Sequence, residues 1–66
     1  MIAKILSKNL KYYRMKNELS QEKLAEMCNF SRNYISDLEN AKSNPTLNTL
    51  NVLAKALNIK TYLLLK

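Results

Sequence analysis

Three features of the sequence predict an all-α fold. Apolar residues recur at helical spacing through nearly the whole chain. Ser, Thr and Asn stand where that spacing breaks, and these residue types start and stop helices. Near the middle, two short helical segments are joined by only three residues, 29–31.

Composition sets the limits. The chain has 66 residues, which is room for one domain spanning 1–66. It carries 11 Lys+Arg against 5 Asp+Glu, a formal net charge of +6, and 47% of its residues are hydrophobic. That apolar share is too high for a disordered tail. A chain this short buries only about 60% of its unfolded surface. Efficient helical packing, a dimer, or both are therefore expected.

Several function classes drop out. There is no histidine, and Cys28 is the one cysteine. Neither a disulfide framework nor a zinc cluster can form within one chain, so no metal or other cofactor is expected. No serine can pair with a histidine, and nothing activates Cys28 as a nucleophile, so an enzyme is not expected. Without glycine there is no phosphate-cradling glycine loop. The apolar run Leu63-Leu64-Leu65 is far too short to span a membrane. The basic N-terminus lacks a continuous apolar core and a small-residue cleavage site, so it makes a poor signal peptide. The default compartment is the cytoplasm.

In helix 1, running to about Lys16, Ile2, Leu6, Leu10 and Tyr13 share one face. Lys4, Lys8 and Lys11 form a basic stripe opposite, readable as a solvated surface or as a polyanion contact. Residues 17–19 break the pattern. Ser20 caps helix 2, about 21–28, and Glu22 suits its positively polarised first turn. Lys23 stands where a capping box would place Glu or Gln. Leu24, Ala25 and Cys28 point inward, with Cys28 as a small buried apolar residue. Asn29 can take the left-handed conformation that ends a helix.

Ser31 caps helix 3, about 32–40, whose inward residues are Tyr34, Ile35 and Leu38. Arg32, Asn33, Ser36, Asp37 and Asn40 fall on its other face. Residues 41–45 form a loop in which Pro45 disfavours helix at Asn44. Thr46 caps helix 4, about 47–57, where Leu47, Leu50, Leu53, Ala54 and Leu57 make the apolar stripe. Asn58 suits the turn that follows. A fifth short helix, from Lys60 or Thr61 to Leu65, is expected last.

Helices 2 and 3 make a helix-turn-helix pattern. The first must cross the second closely through small and branched residues, here Ala25, Cys28, Ile35 and Leu38. The second must keep its other face free for a major groove about 12 Å wide. Leu19-Ser20-Gln21-Glu22-Lys23-Leu24-Ala25, then Ser31-Arg32-Asn33-Tyr34-Ile35-Ser36-Asp37-Leu38-Glu39-Asn40, then Asn44-Pro45-Thr46-Leu47 resemble the Cro/C1-type (XRE) helix-turn-helix family over roughly residues 5–65. Arg32-Asn33-Tyr34-Ile35-Ser36 is also similar to controller proteins of restriction–modification systems.

The resemblance implies a compact five-helix, lambda-repressor-like domain that binds an operator in double-stranded DNA, usually as a homodimer. It assigns base reading to Arg32, Asn33, Ser36 and Asp37. It assigns phosphate contacts to Gln21, Asn40, Lys42 and Ser43, and gives Gln21 a second task in holding the recognition helix. Arg14 and Glu39 match a partly buried ion pair of the family; the alternative is two unrelated surface charges. Ala41 stands where glycine often ends the recognition helix. Alanine at positive φ costs about 1 kcal/mol, so a differently built turn is expected there.

Residue chemistry adds detail. The Arg32 fork fits guanine O6 and N7, and Asn33 fits adenine N6 and N7. Ser36 can face any base or allow close approach. Asp37 would accept from cytosine N4, reject wrong bases, or brace Arg32. Tyr34 would pack half-buried with its hydroxyl near the backbone, or hydrogen bond a phosphate. Val52, Ile59, Tyr62, Leu63 and Leu65 are the candidate dimer interface; the alternative is a C-terminal helix folded wholly into its own core.

The predicted function is a small homodimeric transcriptional regulator, a repressor or an autoregulatory controller, with no effector domain after its DNA-binding unit. The sign of regulation and any RNA polymerase contact stay open. The competing reading is a helical protein-interaction module that keeps the fold without specific DNA binding. Membrane-surface binding by helix 1 is disfavoured, because its apolar face is needed for the core.

Overall fold

The computed structural model describes residues 2–66. Four α-helices follow in order: α1 Ile2–Lys16, α2 Gln21–Cys28, α3 Arg32–Glu39 and α4 Leu47–Leu57. A 3-10 turn, Thr61–Leu64, comes last. No strand occurs among the described residues. The fifth helix expected from sequence is thus a 3-10 turn. The Leu63 N–H donates to the Lys60 carbonyl at 3.0 Å, and the Leu65 N–H to that of Tyr62 at 3.1 Å. A four-residue segment is too short for an α-helical ladder, and these tighter bonds tie it to the residues on either side, Lys60 and Leu65.

The starts of α2, α3 and α4 follow from local chemistry. Ser20 Oγ accepts from the Lys23 N–H at 2.9 Å, Ser31 Oγ from the Tyr34 N–H at 3.0 Å, and Thr46 Oγ1 from the Thr49 N–H at 3.0 Å. Each satisfies an N–H that the helix itself leaves unpaired.

The helix ends are less ordinary. All four α-helices exit through a residue at positive φ, and none is glycine: Glu18 at 57°, Asn29 at 60°, Ala41 at 59° and Asn58 at 56°. Each exit is closed by a pair of backbone bonds. After α3, the Lys42 N–H reaches the Asp37 carbonyl at 2.8 Å and the Ala41 N–H reaches that of Leu38 at 3.3 Å. The expectation of a differently built turn at Ala41 is therefore corrected. The two bonds, with the contacts of α3 behind them, outweigh an alanine penalty of about 1 kcal/mol. Helix α3 itself stops at Glu39, one residue earlier than predicted; Asn40 follows at φ −104°, ψ 9°.

One core joins the helices. Leu6, Leu10, Leu24, Ile35, Leu38, Leu53 and Leu64 are fully enclosed. Each such side chain contributes about 1.5–3 kcal/mol of burial. The 3-10 turn is pinned to α1 where Asn9 Nδ2 donates to the Leu64 carbonyl at 2.9 Å.

Two stripe residues predicted to face inward do not. Ile2 is 55% exposed and Leu47 is 71% exposed. Both stand in the first turn of a helix, where the periodicity continues but no neighbouring element covers the side chain. Thr49, next to the α4 stripe, is buried instead.

Candidate nucleic-acid interface

The exposed side of α3 is the centre of the site. Ile35 and Leu38 are wholly buried and fix which face of the helix looks inward. At 100° per residue, Arg32, Asn33, Ser36, Asp37 and Asn40 then share the outward side. Arg32, Asn33 and Asn40 are exposed, while Ser36 and Asp37 are half-buried. Arg32 and Asp37 form no ion pair among the described residues, so bracing of one by the other is not seen.

The electrostatics of α3 are those of an anion-facing end. Its first turn contains no acidic residue. Arg32 is the first residue of the helix, at the positively polarised end, where a cation works against the helix dipole. A phosphate or an electronegative base edge in front of that turn attracts both the guanidinium and the helix end and so offsets that repulsion. Lys42, just past the α3 exit, is exposed, and Ser43 is half-buried.

Charged groups hold the C-terminal end of α3. Arg14 Nε donates to Glu39 Oε2 at 2.6 Å, and a second guanidinium nitrogen donates to Oε1 at 3.1 Å. The two side chains are only 13% and 3% exposed. Gln21 Nε2 also donates to Glu39 Oε1, at 3.1 Å. Arg14 Nη1 reaches the Leu19 carbonyl at 2.6 Å. One buried carboxylate thus ties α1, the entry to α2 and the end of α3 together. This paired, multiply bonded arrangement is the form in which charge can be buried. The structure assigns one Gln21 amide bond to Glu39, leaving the side chain half-buried beside the α3 terminus.

Neutral hydroxyls hold the other end. The half-buried Tyr34 packs its ring edge-on against Phe30, with centroids 5.1 Å apart. Its hydroxyl lies 3.0 Å from Thr49 Oγ1 on α4. The expected placement near the backbone is corrected: the partner is a side chain. Thr49 in turn meets Thr46, whose Oγ1 donates to it at 3.1 Å. Sequence reading assigned Thr46 only a capping role and passed over Thr49. A threonine beside a leucine stripe gave no signal, because its neighbour comes from another helix. Asn40 folds back on its own helix, its Nδ2 donating to the Ser36 carbonyl at 2.9 Å.

The remaining predicted residues lie on other elements. Val52, Ile59 and Leu63 are half-buried, Leu65 is 37% exposed and Tyr62 is 59% exposed. Leu64 is enclosed in the core, so the C-terminal segment divides its apolar residues between inside and outside. Cys28 is buried, and that burial pushes its thiol up from its ordinary value, away from thiolate chemistry. Among the described residues, no group of three or more His, Cys, Asp or Glu could hold a metal ion. No helix among them is long and apolar enough to cross a membrane.

A short helix, a three-residue turn and a second helix with a free polar face define the helix-turn-helix class. The helix-turn-helix family model matches residues 10–64. The chain belongs to that family, in its Cro/C1 (XRE) group of DNA-binding transcription regulators. It is 51% identical over 57 residues to control protein C.SmaI of Serratia marcescens, covering 86% of this chain and 68% of that protein. It is 40% identical over 55 residues to the immunity repressor protein of Bacillus phage phi105, covering 83% of this chain but 38% of the repressor. Among solved structures, the restriction–modification controller protein C.Esp1396I, a tetramer in complex with its natural 35 base-pair operator, superposes with a TM-score of 0.87 at 28% identity. That match covers 97% of this chain and 84% of the controller.

Proposed function

We propose that this chain is a sequence-specific regulator that binds an operator in double-stranded DNA as a homodimer, with α3 in the major groove. The observation that carries the reading is the division of α3. Its inward residues Ile35 and Leu38 are completely buried, its ends are anchored by side chains from other helices, and its outward face is polar. A helix held in this way can present side chains to base edges without reorganising. Its likeness to a control protein, a phage repressor and an operator-bound controller supports the same reading.

In this reading Arg32 pairs with guanine and Asn33 with adenine, while Ser36 and Asp37 complete the base-reading face. Gln21, Tyr34, Asn40, Lys42 and Ser43 set the register on phosphates. Arg14 and Glu39 act structurally, as the ion pair that orients α3. The protein measures 26 × 22 × 20 Å, so a single copy addresses a single half-site. Adjacent half-sites lie about 34–36 Å apart, and two copies are needed to read both. Val52, Ile59, Tyr62, Leu63 and Leu65 supply the contact between copies. Occupancy of the operator is the mechanism, as repressor or autoregulatory controller in the cytoplasm, with no catalytic step and no cofactor.

The test is selection of bound duplexes from a random library at near-physiological salt. A two-fold-symmetric motif with half-sites one helical turn apart is the expected result. Retention without a motif, vanishing as salt rises, would leave only charge-driven binding. That outcome favours the protein-interaction module instead.

A further inference from the structure

Lys4, Lys8, Lys11 and Lys16 stand exposed on α1, a helix without an acidic residue. Neither ion pair among the described residues, Arg14–Glu39 or Lys23–Glu26, involves them. Lys16 lies over the Tyr12 ring, 5.8 Å from its centroid. Lys4, Lys8 and Lys11 succeed one another by a helical turn, so their charges are neighbours and repel. Lys4 also stands in the first turn, where a cation works against the helix dipole. An anion in front of the row relieves both costs.

Two hydrogen bonds fix how α1 is turned. Arg14 reaches Glu39 at the C-terminal end of α3, at 2.6 Å, and Asn9 Nδ2 donates to the Leu64 carbonyl on the other flank, at 2.9 Å. At 100° per residue, Lys11 and Lys4 stand about 60° and about 80° round the helix from Arg14, and about 140° or more from Asn9. They occupy the shoulder of α1 that lies toward the end of α3. Lys8 stands about 120° from Arg14 and points away from both flanks. Lys42 emerges at that same end of α3. It is exposed, and its N–H is held by the Asp37 carbonyl at 2.8 Å. Lys42, Lys11 and Lys4 therefore follow in succession from the recognition helix along α1. Lys11 and Lys4 are about 10 Å apart along the helix axis. That matches about three steps of a DNA strand at 3.4 Å each.

We propose that Lys11 and Lys4 extend the phosphate contact of Lys42 along α1, gripping the DNA backbone beside the half-site that α3 addresses, an inference that rests on the DNA-binding reading above. A second copy of the same face would meet like charge, whereas a phosphate backbone is complementary to it. The contact carries no base information. It adds affinity and sets how the domain sits on the duplex.

The test uses the full chain and the duplex most enriched by the wild-type protein. Affinity is measured across a salt series for Lys4→Gln, Lys11→Gln, their double variant and Lys8→Gln. Each lost phosphate contact lowers the slope of log K against log salt by about 0.9. Lys4→Gln and Lys11→Gln should each show that change, and the double variant about 1.8. Lys8→Gln removes the same charge from the same helix and should leave the slope as it was. Lys11→Arg should restore it. Ethylating single phosphates then locates the contact. Some phosphates whose ethylation weakens the wild type should no longer matter to the double variant, and they should adjoin those that cease to matter in Lys42→Gln.

A Lys8→Gln slope that falls as far as that of Lys11→Gln overturns the contact and leaves diffuse attraction by net charge. Identical ethylation patterns for the wild type and the double variant overturn it too. A wild-type protein that enriches no duplex removes the DNA-binding reading together with this contact. Selective wild-type binding with an unchanged slope in the double variant removes the contact alone.

Discussion

At the C-terminal end of α3, Glu39 is gripped by Arg14 and Gln21 in a nearly water-free setting. At the N-terminal end, Tyr34 rests on Thr49 through a single neutral contact. The two anchors differ in what they tolerate. A buried ion pair has excellent geometry or is costly, and losing one partner strands the other as an uncompensated charge. A hydroxyl contact is weaker, and its protons rotate to suit a new neighbour. The rigid anchor thus sits at the end of α3 away from Arg32, and the adaptable one sits at the end that carries the proposed base-reading residue Arg32. The two ends of α3 are held by different chemistry.

The largest effect is expected from breaking the charged anchor. Glu39→Ala leaves Arg14 buried without its counter-charge and should cost about 3–5 kcal/mol. For a chain of this size that approaches its whole stability. Glu22→Ala is the control, because Glu22 is an exposed carboxylate in the first turn of α2. Its cost should stay within about 0.5 kcal/mol. Denaturant unfolding of both variants decides the matter: equal midpoints would show that Arg14 and Glu39 behave as ordinary surface charges.

Arg32→Ala probes the opposite end and should give the opposite signature. Arg32 is exposed and makes no ion pair among the described residues, so unfolding free energy should change by no more than about 0.5 kcal/mol. Affinity for the enriched duplex should fall by about 1–3 kcal/mol, and base preference at one position of each half-site should relax. Retained preference at every position would place Arg32 on phosphate. A fall in stability as large as that of Glu39→Ala would erase the distinction between the two ends.

How much of this was legible in the sequence depends on the range of the interaction involved. Caps at Ser20, Ser31 and Thr46, and left-handed turns at Asn29 and Asn58, could be read directly because each depends on a few adjacent residues. Periodicity located the core of α4 but not the edges of its stripe. Leu47 is exposed against expectation and Thr49, for which nothing was expected, is buried, because exposure there depends on what another helix covers. The outward set on α3 followed from its inward set. The Tyr34–Thr49 contact could not be read, since it joins residues 15 positions apart on different helices and neither side chain is unusual by itself. Turns at Glu18 and Ala41 escaped for a third reason: neither residue type favours positive φ.

Ala41 gives the smallest expected effect and a check on the charged anchor. It holds φ 59° immediately after the helix that Glu39 terminates. Glycine carries no such penalty, but it also raises the entropy of the unfolded chain. The two terms partly cancel, so Ala41→Gly should stabilise the fold by about 0.5 kcal/mol. Asn58→Gly should gain less, because asparagine already tolerates its conformation at φ 56°. Both gains are measurable as shifts in the denaturant midpoint. A destabilised Ala41→Gly would mean that the methyl group contributes packing worth more than the strain it causes. A gain equal to that of Asn58→Gly would mean that the exit from α3 is relaxed, and that the Arg14–Glu39 anchor holds a helix end that needs no holding against backbone strain.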